Sequence, residues 1–93
     1  MIFSAALRFG RLAEQHKEYL LENLRKGYFS PATYVITEAA APNWYEIYHS
    51  SMLADPQFDT SGMVIEGIGY GYKDAVNCVS EMVKERILRI GDK

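Results

Sequence analysis

Apolar or neutral residues recur at spacings of three and four through Phe9, Leu12, Ala13, His16, Leu20 and Leu24, with charges between them. No proline interrupts the chain from Ser4 to Lys26. That period places one stripe on one side of a helix, so the pattern predicts a helix from Ser4 to about Lys26. Ser4 is suited to cap its start, Gly27 sits where helices often stop, and Pro31 lies beyond the end.

The period then changes. Thr33-Tyr34-Val35-Ile36-Thr37 and Trp44-Tyr45-Glu46-Ile47-Tyr48-His49 are β-branched and aromatic, and Met63-Val64-Ile65-Glu66 reads as a third, shorter strand. The connections Ala39–Asn43 and Ala54–Gly62 are short, which favours an antiparallel meander over parallel pairing. After Gly67, Gly69 and Gly71, helical spacing returns at Ala75, Val76, Val79, Met82, Val83, Ile87 and Ile90. Asp74 falls in the first turn of this helix and Arg86 and Arg89 near its end, as the helix dipole favours. The expected fold is α+β, an α-β-β-β-α sandwich of two layers: a three-stranded antiparallel sheet with two helices on one face.

Ninety-three residues make one domain, and 48% hydrophobic content makes it a folded one. No apolar run approaches the roughly 20 residues of a membrane helix. The lone cysteine, Cys78, has no intrachain disulfide partner, and with only two histidines no structural zinc site is expected. No cofactor and no membrane contact are expected, and the chain reads as intracellular, in the cytoplasm or an organelle. A net charge of −2 conceals an asymmetry. Residues 1–30 carry five bases and three acids, residues 31–66 carry five acids and no base, and residues 67–93 carry five bases and four acids. An anionic partner is therefore expected at the ends of the chain, away from its middle.

Several stretches share the spacing of a known family. Leu20-Leu21-Glu22-Asn23-Leu24 is followed by Pro31-Ala32-Thr33-Tyr34, then Glu38, then Ala41-Pro42-Asn43-Trp44. Gly67-Ile68-Gly69 leads into Gly71-Tyr72-Lys73-Asp74-Ala75-Val76. From about Tyr19 to Leu88 this order resembles the double-stranded RNA-binding domain, which divides the chain into a helical extension at 1–18 and a domain at 19–93. The resemblance implies contacts to RNA backbone from Lys73 and Tyr72, from the loop Pro42, Asn43 and Trp44, and from Gln15 and Asn23 on the first helix. Of the three lysines that family sets against phosphate, Lys73 alone has a counterpart, with Tyr72 and Val76 at the other two places.

Read for chemistry, the glycine-rich turn before Lys73 suits either a phosphate or a plain turn whose small residues allow positive φ or close packing, and the plain turn is the stronger reading. Trp44 suits a stacking platform or a buried anchor. His49 with Cys78 is the one nucleophile–base pair to consider, and nothing in the spacing joins them; a catalyst is not expected. Three functions remain: a non-catalytic module that binds double-stranded RNA, a related module that pairs with a protein partner or with itself, and a small antitoxin or phage inhibitor. The third rests on a lesser resemblance of Asp74-Ala75-Val76-Asn77 to the HicB antitoxin family, which begins directly with a strand. The helix expected at residues 4–26 counts against it, and a strand in its place would favour it.

Overall fold

In the computed structural model, residues 1–39 and 44–91 are described. The elements are β1 (Ile2–Phe9), α1 (Arg11–Glu14), α2 (Lys17–Lys26), β2 (Thr33–Glu38), β3 (Tyr45–His49), a 3-10 turn (Ser50–Ala54), β4 (Val64–Tyr70) and α3 (Tyr72–Gly91). The α+β class, the expected strands and the last helix are all present.

The start of the chain differs from expectation. The predicted helix from Ser4 is a strand as far as Phe9, then two short helices broken at His16, whose backbone leaves helical geometry. Residues 1–18 are therefore no helical extension: β1 pairs parallel to β4 and belongs to the same sheet as the rest. Phe3, Leu7 and Phe9, two or four residues apart, pack on the core, so period two governs here. Ser4 caps no helix; its Oγ accepts the Ala6 N–H, where the β1–β4 register shifts between Phe3 and Arg8. Gly27 does end α2 as read, in the left-handed region at φ 78°, with the Tyr28 N–H donating to the Asn23 carbonyl at 2.8 Å.

The sheet is four-stranded and mixed, in the order β1-β4-β2-β3, not three-stranded and antiparallel. It is no meander either: β4 returns past β3 to pair with β2, across a 14-residue connection that includes the 3-10 turn. The helices also occupy opposite faces instead of one. Neighbouring residues of a strand point to opposite sides. Val35 packs with Ala13, Leu20 and Leu24 of α1 and α2, whereas Ile36 packs with Cys78 and Met82 of α3. Both residues are fully buried, as a central strand covered on two sides requires.

Gly67 and Gly69, expected in a turn, lie inside β4. Close packing explains them. A Cβ on Gly69 would sit 2.5 Å from the backbone N and Cα of Ala75, and one on Gly67 would reach Ile36 and Met82. Their bare surface lets α3 lie against the strand. Of the three glycines at 67, 69 and 71, Gly71 alone has a positive φ, at 91°, and serves as a turn glycine.

Candidate functional site

Asp74 organises the junction of β4, α1 and α3. It is 5% exposed, and its carboxylate accepts the backbone N–H groups of Leu12 (3.0 Å), Ala13 (3.0 Å) and Tyr70 (2.9 Å). Gly10 at the N-cap of α1 offers no side chain, so Asp74 reaches across 62 residues to satisfy the first turn of that helix. A Cβ on Gly10 would collide with this carboxylate. A negative group is thus already built into the start of α3, where a phosphate cradle beside Lys73 would need room for another anion.

The residues singled out from the sequence do not converge. Tyr72 and Lys73 are adjacent and exposed at the start of α3, with the Tyr72 ring edge-on to Tyr34 at 5.6 Å. Trp44 lies at the other end of that helix, its ring 5.2 Å from the Arg86 guanidinium. Lys73 and Arg86 are 13 residues apart on one helix, about 20 Å. Gln15 follows α1 at its C-cap, and Asn23 lies on α2, the helix on the face opposite α3. The Asn23 amide nitrogen is buried without a hydrogen-bond partner. Pro42 and Asn43 lie outside the described residues.

The candidate catalytic groups are apart and occupied. His49 Nδ1 accepts the Ser51 N–H at 3.1 Å, which leaves Nε2 as the donor to the Pro31 carbonyl at 2.6 Å. The ring thereby joins two loops and caps the 3-10 turn. Cys78 faces the sheet from α3, and burial pushes its thiol up to about 11, so it is protonated and a poor nucleophile at neutral pH. Among the described residues, no group of three His, Cys, Asp or Glu is placed to hold a metal ion.

The acidic middle of the chain forms a shallow depression of about 480 Å³ on the α2 side of the sheet, where Glu46, Asp59 and Glu66 meet Tyr48 and Phe58. Tyr48 donates its phenol to Glu46, and that bond, with burial, raises the phenol above its ordinary range. Among the described residues, no base lines this depression.

Sequence reasoning overlooked a line of exposed apolar side chains on α3. Tyr72 is 59% exposed, Val76 40%, Ile87 54% and Ile90 58%, and half-buried Val79 and Val83 lie between them. The signal was in the periodicity itself. The apolar positions of this helix are too many for one buried face: Ala75, Cys78 and Met82 take the sheet with Val79 against them, Tyr72, Val76, Val83, Ile87 and Ile90 continue a second stripe beside Val79, and exposed Leu88 lies off both.

No protein-family model, curated protein or solved structure matches the chain.

Proposed function

We propose that this chain is a non-catalytic protein-binding module whose contact surface is the outer side of α3. The supporting observation is the stripe from Tyr72 to Ile90, a run of large apolar side chains along one helix that the sheet does not cover. Scattered exposed apolar residues are ordinary on any protein surface. A contiguous line of them, on a helix already anchored by a separate buried face, marks an interaction site. The RNA-binding alternative has weaker support: Lys73 stands in a first turn that also holds the Asp74 carboxylate, and Trp44, Gln15 and Asn23 lie away from it.

A second reading, the small antitoxin or phage inhibitor, gains only part of what it requires: residues 4–9 form a strand in place of the expected helix, but Arg11–Glu14 and Lys17–Lys26 are helical. A small antitoxin or phage inhibitor acts by binding a protein, so this second reading is a special case of the first.

A titration against a 20-base-pair RNA duplex, at low and moderate salt, separates the readings. A protein-binding module gives no saturable RNA binding even at low salt. Binding that falls with salt and is lost in Lys73→Ala, through the phosphate contact that side chain would make, would overturn the proposal.

A further inference from the structure

If α3 carries the protein-binding surface, the shape and charge of that surface define its occupant. Tyr72, Val76, Val79, Val83, Ile87 and Ile90 follow one another at steps of three or four residues, so they share one side of the helix. The line is about 27 Å long at 1.5 Å per residue. Beside it the sheet is only partly covered. Four strands about 4.8 Å apart make a face wider than one helix of roughly 10 Å. α3 lies chiefly along β4, and the other described helices pack on the far face. On the β2–β3 side, next to the stripe, half-buried Tyr34, Tyr45 and Ile47 form a floor that α3 covers only in part, Tyr45 and Ile47 packing against the Ile36, Cys78 and Met82 cluster beneath it. The result is a ledge about one strand wide beside α3. Tyr72, edge-on to Tyr34, closes one end, and Arg86 over Tyr45 and Trp44 closes the other.

The α3 side chains that flank the stripe with a charge are bases, and the acid Glu38 at the end of the floor is paired with one of them. Lys73 and Lys84 flank the stripe on one side and Arg86 on the other, whereas Asp74, Glu81 and Glu85 project from the opposite side of α3. Arg86 is 3.6 Å from Glu38 at the end of the floor, and Lys84 is 4.0 Å from Glu81 in an exposed pair. Exposed pairs of this kind hold their partners weakly, so both bases remain available to an acid on another chain. We infer, resting on the protein-binding reading of α3, that the ledge receives an amphipathic helix of a partner protein, its apolar face against the stripe and acidic residues on its flanks. A second copy of this chain fits less well. Two α3 helices paired through their stripes set bases against bases in either orientation, because both flanks are basic.

The experiment is a display selection on the full chain with a library of 18-residue helical peptides. Apolar positions are fixed at helical spacing and the flanking positions are randomised. The expected result is enrichment of Asp and Glu at the flanks, with the selected peptides losing at least tenfold in affinity on a Val76→Gln/Ile87→Gln variant. Lys73→Glu/Lys84→Glu is expected to turn the preference toward basic flanks. Enrichment of basic flanks, no enrichment, or binders indifferent to Val76→Gln/Ile87→Gln would overturn the inference. Sedimentation of the same proteins separates the two levels of the proposal. A dimer abolished by Val76→Gln/Ile87→Gln would overturn the partner-helix inference and leave the protein-binding reading standing. Saturable binding of duplex RNA lost in Lys73→Ala would overturn both.

Discussion

Replacing Asp74 with alanine is expected to cost about 3 kcal/mol of folding stability, the largest effect of any polar substitution in the chain. The carboxylate accepts three backbone N–H groups, two from α1 and one from the end of β4, and it does so with 5% of its surface exposed. Hydrogen bonds to a charged acceptor contribute roughly 1.5–3 kcal/mol each, and a buried donor left without a partner costs about 1–3 kcal/mol. Water entering the space left by the side chain recovers part of this, which keeps the sum below the simple total. For a domain of this size the midpoint of thermal unfolding is expected to fall by roughly 12–24 °C. Asp74→Asn retains one acceptor but turns an amide NH2 toward an N–H donor, so it is expected to recover less than half of the loss. Urea unfolding of the two variants beside the parent checks this. A loss below about 1 kcal/mol for Asp74→Ala would mean that α1 is held in place by its apolar contacts alone.

Gly69→Ala is the second large effect, also about 3 kcal/mol. The added methyl would meet the backbone N and Cα of Ala75 at 2.5 Å, and a backbone neighbour has no rotamer by which to withdraw. Relief requires α3 to lift away from β4, yet Asp74, one residue earlier, ties the helix to Tyr70 and to α1. Overpacking of this kind costs roughly 1–3 kcal/mol even where side chains can adjust, so the upper end applies. Two other glycines serve as controls. Gly71→Ala meets open space but has φ 91°, a strain of about 1–2 kcal/mol. Gly62→Ala meets neither obstacle and is expected to be neutral. The order Gly69, Gly71, Gly62 in denaturant midpoint is the expected result; an equal loss at Gly69 and Gly71 would point to backbone conformation as the sole reason for glycine at both.

The stop at Gly27, the strands β2 and β3, the first half of β4 and the helix α3 were legible in the sequence, because each depends on local chemistry: a left-handed glycine, β-branched and aromatic runs, a long apolar period; the 3-10 turn and the second half of β4 were not. The arrangement of those elements was less so. β1 hid behind the helical spacing that begins at Phe9, and its partner β4 is about 60 residues away, so no local signal announces the pairing. The adjacent pair Val35-Ile36 did contain evidence of a strand buried on both faces, since a sheet open on one side alternates apolar with polar residues. Gly67 and Gly69 read equally well as turn residues or as places of close approach, and only the position of Ala75 decides. Among the site residues, Tyr72 and Lys73 were legible as exposed neighbours, whereas the separation of Trp44 from them follows from the length of α3. The second stripe was merged with the first, because periodicity alone does not say which of two apolar sides the sheet will take.

The most direct measurement is the folding stability and sedimentation of Val76→Gln/Ile87→Gln against the parent chain. If the outer side of α3 is kept for a partner, these side chains contribute little to the fold. The variant then unfolds within about 0.5 kcal/mol of the parent, as ordinary surface substitutions do. It also remains the same size in solution. A loss of several kcal/mol would place Val76 and Ile87 in this chain's own core and contradict a surface held open for another protein.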